Sequence, residues 1–195
     1  VIQYDGQEIT YPNIDLCYWA GGNPFHHHQD LNRLVEAWRR PSTVIVNEPW
    51  WTPVAQWADI VFPATTALER EDFCMSSHDA YAHVMDKALP VFGQARSDHE
   101  IFTGLSRCLG LESEFTEGKS ETQWMKEMWV RSQEKATKEG FKIADYEEFL
   151  EKKWIRLPDQ EFPSWLKGFR DDPEENRLNT PSGKIEIFSE AIASF

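Results

Sequence analysis

"YWAGGNPFHHHQDLNRL", Tyr18 to Leu34, runs from an apolar segment through two glycines into a stretch that opens with three histidines. A histidine triplet suggests a metal site, and a glycine pair between a strand and a helix suggests a phosphate site. On its N-terminal side, Ile14 to Trp19 is apolar and β-prone and ends at Ala20-Gly21-Gly22, which reads as a buried strand. On its C-terminal side, Leu31, Leu34, Val35 and Trp38 recur at helical spacing and stop at Arg39-Arg40-Pro41. That spacing predicts one amphipathic helix running from His27.

The same alternation continues outward. "TVIVNE", Thr43 to Glu48, and "DIVFPA", Asp59 to Ala64, are short β-branched runs with a short helical stretch between them. Strand, helix, strand, short helix, strand predicts an α/β fold, a Rossmann-like parallel sheet flanked by helices and joined by right-handed crossovers. Thr65 to Asp79 reads as a polar, acidic loop too long to be an idle turn. Ser97 and Glu100 have capping-box spacing before Ile101, Phe102, Leu105, Cys108 and Leu109, so a helix starts near Asp98 and ends at Gly110. Ser120 to Gly140 reads as a second capped helix with Trp124, Met125, Met128 and Trp129 on one face, and Asp145 to Trp154 as a third. These give the C-terminal half a helical segment. Leu157 to Thr180 is rich in Pro, Asp and Glu, and "TPSGKIEIFSE" closes with a turn and a short strand, Ile185 to Phe188. The resulting division is 1–118 as the α/β domain, 119–178 as a helical and loop extension, and 179–195 as a returning turn and strand.

Bulk properties narrow the ligand. The net charge is −13 over 195 residues. A surface this acidic repels a phosphate backbone and excludes nucleic acid as a partner. No apolar run approaches the ~20 residues of a membrane span. Cys17, Cys74 and Cys108 form no CxxC pair, so no zinc knuckle or iron–sulfur site is indicated. Nine Trp and twelve Phe suit either an aromatic core or aromatics that pack on a partner domain or a planar cofactor. The opening "VIQYDGQEIT" looks like the start of a piece cut from a longer protein.

Three consecutive helical residues point about 100° apart, so His26, His27 and His28 do not converge on one ion. No residue is assigned as a metal ligand. At the first turn of a helix, however, free N–H groups and the dipole favour an anion. Gly21 and Gly22 let a backbone approach a ligand with no β-carbon in the way, at the place where α/β proteins receive pyrophosphate. Glu48 ends the next strand, 26 residues after Gly22, where nucleotide-binding sheets place a carboxylate for a ribose or base. "GGN" is not GxGxxG, so the motif names no single nucleotide. The ligand class is a nucleotide with a diphosphate.

"WAGGNPFHHHQDLNRL", "VNEPWWTPVAQWADIVFPATTALEREDF", "ARSDHEIF", "FTEGKSETQWM" and "NTPSGKIEIFSE", taken in order over nearly the whole chain, closely resemble the molybdenum S- and N-oxide reductases, the dimethyl sulfoxide, trimethylamine N-oxide and biotin sulfoxide reductases. The resemblance implies molybdenum held by a pair of molybdopterin guanine dinucleotides, one of them bound by this α/β domain. It places the pterin and pyrophosphate at Gly21, Gly22, Asn23, His26 and His27, and the ribose or guanine at Glu48. Thr65, Thr66 and Arg70 would line the dinucleotide channel. Asp98 would accept from the guanine N1–H and N2–H donors, although the same residue reads equally as a helix cap beside Ser97. The resemblance also implies that the molybdenum ligand, a serine, lies N-terminal to this region, that no catalytic residue is present here, and that the remaining domains of a parent chain and a small S- or N-oxide substrate are the partners. The reading is therefore an inactive fragment of an active enzyme. A nicotinamide-dependent dehydrogenase domain and a non-catalytic interaction domain are the alternatives.

Overall fold

The computed structural model describes residues 1–4, 6–76, 79–158 and 164–194. Ser77 and His78, inside the expected Thr65–Asp79 loop, and 159–163, inside the acidic stretch, lie outside the described residues. An antiparallel hairpin, β1 (Ile2–Tyr4) and β2 (Gln7–Ile9), precedes a parallel sheet of β3 (Leu16–Ala20), β4 (Thr43–Glu48) and β5 (Ile60–Pro63) in that order. The crossovers carry α1 (Pro24–His27) with α2 (Leu31–Trp38), then α3 (Pro53–Gln56). Strand alternation sends Cys17, Trp19, Val44 and Val46 to one face, where they pack on Phe25, Leu34, Val35, Trp38 and Val54. The opposite face carries Tyr18 and Asn47 and is covered by α4 (Asp98–Cys108), whose Phe102 ring lies 5.3 Å from that of Tyr18. Helices therefore flank both faces of a parallel sheet, as expected from the sequence.

A second layer follows. β6 (Asp72–Cys74), β7 (Tyr81–Met85) and β8 (Trp154–Arg156) form an antiparallel sheet, with α5 (Glu112–Thr116), α6 (Glu121–Lys138) and α7 (Tyr146–Lys152) completing this part of the chain. Its core is Ala82, Met125, Trp129, Tyr146, Phe149 and Ile155. Trp129 stacks on Phe149 at 3.9 Å, Phe73 meets both edge-on, and the Trp129 indole N–H donates to the Ala144 carbonyl at 3.0 Å. The chain divides into two compact units, Val1–Leu157 and Pro158–Phe195. The second contains α8 (Lys167–Asp171), a turn in which Leu178 donates to the Gly183 carbonyl, and α9 (Glu190–Ala193).

Four local expectations are corrected. The histidines do not open the long helix: α1 is a separate turn with Asn23 as N-cap and Pro24 at its first position, and it ends at His28 in extended conformation. The Asp30 side chain then accepts from the Arg33 N–H at 3.0 Å and starts α2 anew. Thr65–Asp79 is not all loop, because Asp72–Cys74 pairs with β7. The helix expected to reach Trp154 stops at Lys152, where Lys153 turns left-handed (φ 65°) and Trp154 enters β8. Ile185–Phe188 is not a strand: strands exist by pairing, and here the Glu186 carboxylate instead accepts from the Ser182 N–H at 2.8 Å while Ile185 and Ile187 are exposed.

Candidate functional site

The three parallel strands end in register, Ala20 beside Asn47, Asn47 beside Phe62 and Glu48 beside Pro63. Adjacent strands lie about 4.8 Å apart, so the loops that follow leave the sheet within roughly 10 Å of one another. This carboxyl edge is where open α/β sheets bind ligands. A fourth segment reaches it: Ala64 bridges Arg96 in parallel, with Thr65 N donating to the Arg96 carbonyl at 2.9 Å, which brings the capping box of Ser97 and Glu100 and the start of α4 to the same place.

After β3, Gly21 (φ 82°) and Gly22 (φ 70°) are both left-handed, and the Trp19 indole N–H fastens the turn by donating to the Gly22 carbonyl at 3.1 Å. A β-carbon built on either glycine meets nothing within 4 Å. Within this chain the glycines are required by their left-handed backbone conformation, and the space beside them is open. In α1 the Phe25 N–H donates to Asn23 Oδ1 at 3.1 Å, the His26 N–H to the Asn23 carbonyl at 2.9 Å, and Pro24 has no N–H, so of this first turn the His27 N–H alone has no acceptor among the described residues. The Gly21 N–H continues the β3–β4 ladder toward the Asn47 carbonyl, while the N–H groups of Gly22, Asn23 and His27 have no acceptor among the described residues and are the available ones. His26 and His27 are exposed in the last turn of α1.

Each of the three strand-end loops also holds a buried polar atom without a hydrogen-bond partner among the described residues: Asn23 Nδ2 after β3, Thr52 Oγ1 after β4 and Thr65 Oγ1 after β5. Leaving such an atom unpaired costs about 1–3 kcal/mol, so three at one edge mark a place built for additional polar partners. Glu48 points to the α1–α3 face, half-buried, and among the described residues accepts only a long 3.4 Å bond from the Trp50 N–H. Beside it Trp50 and Trp51 are 66% and 71% exposed, suited to lying against a planar group.

On the other face the Tyr18 hydroxyl donates to Asn47 Oδ1 at 2.7 Å, and Asn47 Nδ2 donates to Asp98 Oδ1 at 2.8 Å. Asn47 is buried, whereas Asp98 is exposed at the first position of α4 and its Oδ2 accepts from no described residue. Burial pushes the Tyr18 phenol above its ordinary range, the Asn47 bond opposes this and the Asp98 charge adds to it, so the phenol is a protonated donor at neutral pH. Arg70 donates to Asp72 at 3.1 Å and to the Thr65 carbonyl at 3.4 Å. Thr65 and Arg70 line a cleft of about 190 Å³ with Glu69, Glu71, Lys87, Glu100 and Glu121, too small for a whole dinucleotide. The structure thus gathers Gly21, Gly22, Asn23, Glu48, Thr65 and Asp98 at one edge, and ties Thr66 and Arg70 into the supporting loop.

That loop depends on Glu69, whose carboxylate accepts from the Thr66 N–H (2.8 Å), the Phe92 N–H (2.7 Å) and the Thr66 hydroxyl (2.9 Å). The Thr66 and Phe92 N–H groups, then the Thr66 hydroxyl and the Lys87 charge, hold this carboxyl below its usual range. With the folded value depressed, its stabilisation is complete above the unfolded value near 4.5 and is lost as pH falls further. Glu69→Gln should therefore be less stable at neutral pH yet lose less than the unaltered protein on acidification. Thermal unfolding of both at pH 7 and pH 4 checks this, and parallel pH profiles would contradict it.

Sequence reading missed Tyr18, Asn47, Thr52 and Arg96. Asn47 had a signal, as a lone amide near the end of the apolar run "TVIVNE". Thr52 sits before Pro53 in a cap position, but its hydroxyl makes no cap bond.

Residues 5–108, from the first hairpin to the end of α4, match the molybdopterin oxidoreductase family profile. The biotin sulfoxide reductase of Cereibacter sphaeroides is 42% identical over 97% of this chain, which spans 26% of that protein. The trimethylamine-N-oxide reductase of Haemophilus influenzae is 42% identical over 98% of the chain, spanning 24% of its own length, and the dimethyl sulfoxide/trimethylamine N-oxide reductase of C. sphaeroides is 40% identical over 97%, spanning 24%. The chain thus covers about a quarter of the curated relatives it matches. The acetylene hydratase of Pelobacter acetylenicus has the same fold over 91% of this chain and 22% of its own, with a TM-score of 0.52 at 21% identity. On the matched sheet, glycine turn and α4 together, the chain belongs to the molybdopterin oxidoreductase family.

Proposed function

We propose that this chain is the part of a molybdenum S- or N-oxide reductase that holds one molybdopterin guanine dinucleotide at the carboxyl edge of its parallel sheet. The observation that carries the reading is the set of unpaired donors there: the Gly22 and Asn23 N–H groups and the buried Asn23 Nδ2, Thr52 Oγ1 and Thr65 Oγ1. Their chemistry fits a diphosphate flanked by polar heterocycles. A net charge of −13 makes short-range, oriented donors necessary for an anion. Glu48 would hold a ribose or base, His26 and His27 would border the pyrophosphate, Thr66 and Arg70 would border the channel, and Asp98 would take the guanine edge.

When bound, the molybdenum cofactor supplies two-electron oxygen-atom transfer with a sulfoxide or N-oxide; this chain's share is to orient it and keep its charge compensated. The substrate class follows the relatives, which are biotin sulfoxide, trimethylamine N-oxide and dimethyl sulfoxide reductases. The metal ligand and the remaining domains belong to the parent chain, so 1–118 serve as the dinucleotide-binding domain, 119–178 as its extension, and 179–195 lead toward a further domain. In the full-length parent, Asp98→Ala should weaken retention of guanine dinucleotide by about 1.5–3 kcal/mol, the range for a hydrogen bond to a charged group. Nucleotide content after dialysis measures it. Unchanged content with a lowered melting temperature would reduce Asp98 to a helix residue.

A further inference from the structure

We infer that Tyr18 is a specificity-determining residue that acts through Asn47: it fixes the direction of the Asn47 amide and so keeps the Asp98 carboxylate aimed and ready to select a guanine edge. The inference rests on the guanine reading of Asp98 given above. Its basis is the ordered chain from Tyr18 OH to Asn47 Oδ1 (2.7 Å) and from Asn47 Nδ2 to Asp98 Oδ1 (2.8 Å).

The proton order in this chain is forced. An ionised Asp98 is only an acceptor, so the amide must present its N–H to it. The amide oxygen then faces Tyr18, and the phenol must donate. A buried primary amide has two orientations of nearly equal shape, and only its hydrogen-bond partners separate them. Asn47 sits 4% exposed between β3 and β5, with no bulk water to mask a wrong choice. Tyr18 itself is held in place by the Phe102 ring of α4 at 5.3 Å, the helix that carries Asp98. Without the phenol, Asn47 Oδ1 has lost its donor and the amide is anchored only at its Asp98 end, so it swings about its side-chain bond and carries the carboxylate off its aim. A displaced carboxylate has a weaker preference for a base with two adjacent N–H donors over one with an acceptor at that edge.

The test uses the full-length parent in cofactor-free form, titrated with GDP and with ADP and followed by tryptophan fluorescence. The unaltered enzyme should bind GDP at least ~10-fold more tightly than ADP, the discrimination that one charge-assisted hydrogen bond provides. Tyr18→Phe should cut that ratio to within about three-fold by weakening GDP while sparing ADP, whereas a merely structural role would weaken both alike. On an Asn47→Leu background, which removes the amide at similar volume, Tyr18→Phe should leave the ratio unchanged. A full GDP preference in Tyr18→Phe, or a further fall on the Asn47→Leu background, overturns the relay. No GDP preference in the unaltered enzyme overturns the guanine reading itself, and the relay with it.

Discussion

Gly22→Val in the full-length parent is expected to abolish retention of molybdenum and nucleotide, while His28→Ala leaves both near their normal content. Gly22 has φ 70°, and a β-branched residue does not settle in that region, so the turn would re-form with negative φ. Re-forming it redirects the N–H groups of Gly22 and Asn23, the donors assigned to the diphosphate. Because a β-carbon at Gly22 meets nothing within 4 Å, the apo-protein should stay folded, which separates a binding defect from a folding one. His28 caps α1 through its backbone N–H, which donates to the Pro24 carbonyl at 3.0 Å and is kept by alanine, and its ring is exposed. A histidine-based metal site predicts the reverse pair of results. Metal and nucleotide analysis of the two purified variants decides between them, and retained nucleotide in Gly22→Val would remove the diphosphate from this turn.

The second large effect is on stability. Trp129→Ala should destabilise the protein by about 3–5 kcal/mol, the range for deleting a fully buried large aromatic side chain. Trp129 is completely buried, stacks on Phe149 at 3.9 Å and meets Phe73 edge-on at 5.7 Å, so its loss opens a cavity between α6, α7 and the β6–β7–β8 sheet. Trp129→Phe should cost far less, since the ring remains and the Ala144 carbonyl keeps its bond from Gln133 at 3.0 Å. Denaturant unfolding of both variants provides the comparison. A change below about 1 kcal/mol in Trp129→Ala would show that this layer contributes little to the fold.

Elements with strong local signals were legible in the sequence. The β-branched run Thr43–Glu48 matches β4 residue for residue, and the boxes at Ser97 and Ser120 mark the starts of α4 and α6. What escaped depends on distant pairing. β6 and β8 are three residues each and owe their existence to β7 between them, across separations no periodicity reports. The break between α1 and α2 was written in Pro24 and Asp30, but the apolar spacing after His27 outweighed those caps. At the site, Gly21, Gly22 and Glu48 could be located because strand ends announce themselves. The Tyr18–Asn47–Asp98 chain could not, because it joins β3, β4 and α4 through side chains 29 and 51 residues apart. The nicotinamide alternative gives way to family membership, in agreement with the absent GxGxxG.

The central claim, that this sheet edge holds a molybdopterin guanine dinucleotide, is tested most directly by acid release of nucleotide from the purified full-length holoenzyme alongside metal analysis. The account predicts guanine nucleotide in fixed proportion to molybdenum, with both lost together in Gly22→Val. Molybdenum accompanied by no nucleotide, or by a nucleotide of another base, would contradict it.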